Sequence, residues 1–187
     1  MEQEIIKTLE VLKKGGTILY PTDTIWGIGC DATNEEAVKK VFQIKGRQED
    51  KSVIVLVSDD RMLHRYVKAV PEMAWTLMEH REKPITIIYP EGKNLAKGVI
   101  ANDGTIAIRM VKDEFCQKLI QKLGKALVST SANLSGEPSP KNFGDINPAI
   151  PEEVDYVVHW RQHEIGSEKP SSLVALGMKG EIKILRK

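Results

Sequence analysis

Cysteine is almost absent from this 187-residue chain: only Cys30 and Cys116 occur, and neither belongs to a CxxC or Cys/His metal spacing. That scarcity argues against a disulfide framework or a zinc ribbon and for two reduced thiols in a cytosolic protein. No run approaches the ~18 consecutive apolar residues of a membrane helix. Glu2, Gln3 and Glu4 stand where a secretory signal would carry basic residues, so a cytoplasmic location is expected. Net charge is nearly absent too. The 27 basic and 26 acidic residues leave +1, so only a local basic patch could favour nucleic acid.

Several chemical signatures are also missing. His64, His80, His159 and His163 show no HExxH spacing, and His159 and His163, four apart, follow a strand-like run. There is no GxSxG elbow, no Walker A loop and no GxGxxG fingerprint. Aromatic residues make up only 5% of the chain, and Trp26, Trp75 and Trp160 read as packing residues. No internal repeat or long low-complexity tract occurs. What remains is ordinary: 41% hydrophobic and 28% charged residues in a length that suits one domain over 1–187. A chain of this size buries roughly two-thirds of its unfolded surface and needs no disulfide or metal to fold.

The apolar spacing predicts strands alternating with helices. Ile5, Ile6, Leu9 and Leu12 share a helical face that Gly15-Gly16 stops. Residues 17–20 read as a short buried strand ending at Pro21. Asn34 suits the N-cap of a helix over 35–45, with Glu35 and Glu36 in its first turn. Residues 53–57 form a strand, Ser58 caps a helix, and Pro71 opens another through Trp75 and Leu77. Strands are expected at 85–89, 105–110, 154–158, 172–176 and 182–185. The segment FCQKLIQKLG reads as a helix with a glycine stop. From Gly136 to Pro151 the proline-, glycine- and asparagine-rich composition suggests a loop or lid. Continuous apolar strands between helices predict an α/β sheet covered by helices.

Four segments carry candidate chemistry. In KALVSTSANLSG, residues 125–136, an apolar run ends in Ser129, Thr130, Ser131, Asn133 and Ser135. This is either a site for a polar ligand at a strand's carboxyl end or a Ser/Asn turn. PTDTIWGIG, residues 21–29, offers Thr22, Asp23 and Thr24 with two close-approach glycines, or else a simple turn. Lys45, Arg47 and Lys51 either complement a helix C-terminus or clamp phosphates. Arg109, ending the apolar strand TIAIR, must reach solvent, a structural carboxylate or an anionic ligand.

Together these segments resemble the YrdC-like family. PTDTIWGIGCDA is similar to its first motif, and IKGRQEDKSVIVLV to its KxR segment with the following strand. KPITIIYP, TIAIR, STSANLSG, KPSSLVAL and EIKILR follow in the family's order over nearly the whole chain. Three positions depart from the usual pattern: Leu56 stands where many relatives have His, REKPIT replaces WPGPLT, and Trp26 replaces Tyr.

The resemblance implies a twisted, open mixed β-sheet with flanking helices around a concave basic cavity, the YrdC-like or DHBP synthase-like fold. It implies a nucleotidyltransferase that joins L-threonine, bicarbonate and ATP into threonylcarbamoyl-AMP and pyrophosphate. ATP is then a substrate, and Mg²⁺ travels with the nucleotide. The product serves tRNA threonylcarbamoyladenosine modification, with tRNA and a downstream transferase complex as partners. The residues that the resemblance assigns to threonine are Thr24, Arg109, Ser129 and Ser172. Those it assigns to ATP are Arg47, Lys51, Thr105, Ser131, Ser139 and Arg186. Lys45, Arg47, Ser131 and Asn133 complete the catalytic set, and no resident metal ligand is expected. Two other readings are a tRNA- or double-stranded-RNA-binding protein without synthase activity, and carbamoyl transfer to another acceptor.

Overall fold

The computed structural model describes residues 1–46, 53–80, 83–164 and 170–187. Helix α1 spans Glu2–Lys13 and buries Ile5, Thr8 and Leu12. It ends because Gly15 takes a left-handed φ of 76° that a side chain would resist, and Gly16 N–H then bonds back to the Val11 carbonyl. Strands β1 (Ile18–Tyr20) and β2 (Gly27–Gly29) follow as an antiparallel pair. Helix α2, Glu35–Ile44, starts where the Asn34 side chain accepts from Ala37 N–H, as its sequence predicts.

After β3 (Ile54–Val57), helix α3 covers Asp60–Tyr66. Its cap is Asp59 rather than the expected Ser58: Asp59 accepts from Met62 N–H while Ser58 donates to the other Asp59 oxygen. Helix α4, Glu72–Glu79, begins just after Pro71, and β4 covers Ile85–Tyr89. Strand β5, Ile106–Met110, leads to α5, Glu114–Leu123, capped by Asp113 and stopped by left-handed Gly124. Strand β6 runs Leu127–Ser131. The proline-rich stretch after it contains a single 3₁₀ turn, Phe143–Asp145, and a short helix α6, Ala149–Glu153. The strand expected at 154–158 shrinks to β7, Tyr156–Val157. Strands β8, Ser172–Leu176, and β9, Ile182–Arg186, close the set.

Among the described residues the strands form one mixed sheet in the order β7-β1-β2-β6-β3-β5-β4-β8-β9. The β3–β5, β4–β8 and β1–β7 pairs are parallel and the others antiparallel. Registers align Ser129, Ile54, Ala107 and Ile88 across four neighbouring strands. Because strand side chains alternate, Arg109 and Ser131 share the face of this row, two residues further along their strands. Val55, Val57, Ile106 and Ile108 therefore point the other way, and all four are buried.

Helices α3 and α5 contact β3, and α5 also packs on α1. Phe115, Cys116, Leu119 and Ile120 of α5 are essentially inaccessible, so replacing Leu119 by Ala should cost about 2–5 kcal/mol. Cys30 and Cys116 are buried free thiols, and burial pushes both ionisations up. Among the described residues no helix is long and apolar enough to cross a membrane.

Candidate active site

A cavity of about 320 Å³ opens over the aligned row, with Ile54, Ile88 and Ala107 on its floor. Three polar segments surround it: Thr24 and Trp26 from the β1–β2 connection, Ser129, Thr130 and Ser131 from β6, and Pro170 with Ser171 before β8. Arg109 and Arg186 also line it, while Ser139 reaches it from the exposed loop after β6. The volume lies at the lower end of the ordinary range for small-molecule pockets.

Glycine makes the close packing at β2 possible. A side chain on Gly27 would meet Ser129 Oγ at 3.2 Å and the Thr130 carbonyl at 3.3 Å. Gly27 pairs with Ser131, which brings the PTDT segment beside the hydroxyl-rich end of β6.

That segment has an internally determined proton arrangement. Thr22 Oγ1 donates to the Ile25 carbonyl at 2.8 Å, which uses its only proton. The Thr22–Thr24 hydroxyl contact of 3.0 Å must then have Thr24 as donor. Thr24 Oγ1 is left to accept from Arg109 Nη1, also at 3.0 Å. The Arg109 Nη2 group lies 3.3 Å from Asp23 Oδ1. Arg109 is only 4% exposed, so this carboxylate supplies the charge partner that a buried guanidinium requires. Among the described residues its Nε has no hydrogen-bond partner, nor has Asp23 Oδ1, although both atoms are buried.

Lys45 is bonded to the chain that leaves β6. It caps the C-terminus of α2 and is 3% exposed. Its Nζ donates to the carbonyls of Ser131 and Asn133, both at 2.6 Å, and to Asn133 Oδ1 at 3.1 Å. Asn133 Nδ2 in turn donates to the Glu137 carbonyl, so one lysine ties α2 to the chain leaving β6. Lys45 and Asn133 thus adjoin Ser131, which lines the cavity.

On the opposite rim, Arg186 Nε donates to the Ser171 carbonyl at 2.9 Å. Burial, followed by the nearby charge of Arg109, holds the Arg186 ionisation below its usual value. Two guanidiniums facing one cavity favour an anionic ligand between them.

The structure therefore gathers Thr24, Arg109, Ser129, Ser131, Ser139 and Arg186 of the sequence-derived residues around one cavity. Arg47 and Lys51 lie outside the described residues. Thr105 bonds locally to Asp103 Oδ1 and does not line the cavity. Ser172 is also off the lining, which its neighbour Ser171 joins with its Oγ held 2.7 Å from Thr86 Oγ1. Leu56 is fully buried in register with Arg109, an apolar neighbour on the same face of the sheet.

Sequence reasoning missed Trp26 and Ser171 as lining residues, and named Thr130 only within the polar cluster that ends β6. Trp26 packs its ring 4.8 Å from Phe143, combining the expected packing role with a place on the cavity wall. Asp23 was legible only as one of three short polar residues, since its pairing with Arg109 depends on a contact 86 positions away.

The Sua5/YciO/YrdC family model, described as "Telomere recombination", matches residues 10–187. A threonylcarbamoyl-AMP synthase of Pseudoalteromonas translucida is 30% identical over 97% of this chain and 97% of its own length. One from Idiomarina loihiensis is 33% identical over 78% of this chain and 80% of its own. The crystal structure of Pyrococcus abyssi Sua5 complexed with L-threonine superposes with a TM-score of 0.83 at 26% identity. That match covers 94% of this chain but 52% of the Pyrococcus protein, so the chain spans about half the length of that relative. With a cavity at the convergence of the same motifs, this chain belongs to the Sua5/YciO/YrdC family.

Proposed function

We propose that this chain is an L-threonylcarbamoyladenylate synthase, forming threonylcarbamoyl-AMP and pyrophosphate from L-threonine, bicarbonate and ATP. The observation that carries the reading is buried Arg109, held by Thr24 in a cavity of a fold shared with a threonine-bound relative. The Pseudoalteromonas relative, which matches nearly end to end, bears the name of this activity. Residues 1–187 act as one YrdC-like unit.

In this reading the threonine carboxylate sits on Arg109, with the hydroxyls of Thr24, Ser129 and Ser171 around the rest of the amino acid. Arg186, Ser131 and Ser139 face the nucleotide, joined by Arg47 and Lys51. Lys45 and Asn133 hold the Ser131 segment in place between the two substrates. Thr105 remains the resemblance's candidate for the nucleotide, at the start of the strand that carries Arg109.

The threonine amine attacks bicarbonate and water leaves. The resulting carbamate oxygen attacks the α-phosphorus of ATP, and pyrophosphate departs. No covalent nucleophile on the protein is required. Arg109 fixes one end of the amino acid, while the cations and hydroxyls at the opposite rim stabilise the charge that builds on the phosphates. Mg²⁺ would arrive on the triphosphate and neutralise part of its charge. Among the described residues no group of three or more His, Cys, Asp or Glu side chains gathers into a site for an ion.

The location would be the cytoplasm and the product's destination tRNA modification. The comparisons do not favour the RNA-binding alternative, since the curated relatives are named for synthesis. The test is pyrophosphate release in ATP, bicarbonate and Mg²⁺ with and without L-threonine. Release that requires threonine supports the synthase, and release equal in both conditions contradicts it.

A further inference from the structure

Asp23 and Arg109 each keep one buried atom without a hydrogen-bond partner among the described residues: an anionic acceptor, Asp23 Oδ1, and a cationic donor, Arg109 Nε. The two residues form an ion pair at 3.3 Å, so the guanidinium is already neutralised before any ligand arrives. Asp23 is held in this place by its neighbours, because Thr22 and Thr24 on either side are tied to each other and to Ile25. A structural ion pair alone would be best served by full hydrogen bonding of both partners. An incompletely bonded pair whose arginine lines the cavity, with its aspartate directly behind, is instead suited to a ligand that brings both charges.

We infer that Asp23 is a specificity-determining residue that makes this pocket select a zwitterionic α-amino acid over a plain carboxylate. The inference rests on the threonine reading given above. A bare carboxylate added to the neutral Asp23–Arg109 pair introduces an uncompensated negative charge where water is scarce. A zwitterion adds none, because its ammonium offsets Asp23 as its carboxylate engages Arg109. Among the described residues Arg186 is the other guanidinium on the cavity and, in that reading, is committed to the nucleotide phosphates. The discrimination therefore depends on Asp23 once the nucleotide subsite is filled.

The test uses two ligands that differ only in the ammonium: L-threonine and (R)-3-hydroxybutyrate. Their dissociation constants are measured calorimetrically on the full chain saturated with the α,β-methylene analogue of ATP. In the native protein hydroxybutyrate binds far more weakly. In Asp23→Asn the ratio of the two constants falls by about tenfold or more, because the near-isosteric amide removes the charge. Asp23→Ser, small and neutral, produces the same fall, whereas Asp23→Glu retains most of the native ratio. A merely structural role for Asp23 would weaken both ligands together and leave the ratio unchanged, which would overturn the inference. An Asp23→Glu variant that loses discrimination as completely as Asp23→Asn would also overturn it. If native protein binds neither compound, the threonine reading fails and the inference with it. If it binds threonine but the ratio is insensitive to Asp23, only the inference fails.

Discussion

The ammonium of Lys45 lies 2.6 Å from the main-chain oxygen of Asn133 and 3.1 Å from its side-chain oxygen. The same ammonium holds the Ser131 carbonyl at 2.6 Å, so the C-cap residue of α2 fixes the path of the chain where β6 ends. A cation that reads in sequence as part of a phosphate clamp also braces, in the fold, the chain that leaves β6.

The brace predicts that Lys45→Met lowers both stability and activity. Buried carbonyls deprived of their donor cost about 1–3 kcal/mol each. A loss in that range lowers the melting temperature by about 3–10 °C in a chain of this size. Thermal denaturation alongside the pyrophosphate assay checks it. Lost activity with an unchanged melting temperature would place the lysine on the substrate instead.

Arg109→Lys should raise the threonine KM by about tenfold or more while changing the ATP KM much less. A lysine keeps the charge but loses the fork that reaches Thr24, Asp23 and a carboxylate at once. Equal changes in both constants would remove Arg109 from the amino-acid subsite.

Neighbouring serines provide a sharper comparison. Ser171→Ala should impair threonine use more than Ser172→Ala, because Ser171 lines the cavity and is buried beside Thr86. Steady-state kinetics of the two variants decide it, and a larger effect at Ser172 would contradict the geometry.

Asp59 offers a pH-dependent test of the fold. The Ser58 hydroxyl and then the Met62 N–H hold its carboxyl below the usual carboxylate range. A carboxylate with a lowered folded-state pKa contributes fully above the unfolded value of about 4 and loses that contribution as pH falls through the lowered one. Asp59→Ala should therefore cost about 1 kcal/mol at neutral pH as a lost helix cap. Urea denaturation should show the difference shrinking toward pH ~3. A constant difference across this interval would contradict the capping role.

Features determined by nearby residues were legible in the sequence. Asn34 caps α2, the glycines at 15–16 and 124 stop their helices, and the apolar runs become strands. The aligned motifs placed Thr24, Ser129, Ser131 and Arg109 around one cavity. Features that depend on distant pairing were not legible. Gly27–Gly29 carries little strand signal of its own and becomes β2 because β1 and β6 flank it. Ser171 and Ser172 differ by one residue in a pattern that either could satisfy, and the β4–β8 pairing decides which reaches the cavity. The Ser58–Asp59 cap was missed for a local reason, since both side chains can cap and the carboxylate took the role while the hydroxyl supported it.

The most direct measurement is mass spectrometry of the nucleotide product after incubation with ATP, Mg²⁺, L-threonine and ¹³C-bicarbonate. The proposed function predicts threonylcarbamoyl-AMP carrying the ¹³C atom, formed only when threonine is present and accompanied by pyrophosphate. An adenylate without the label, or none above the threonine-free control, would contradict it.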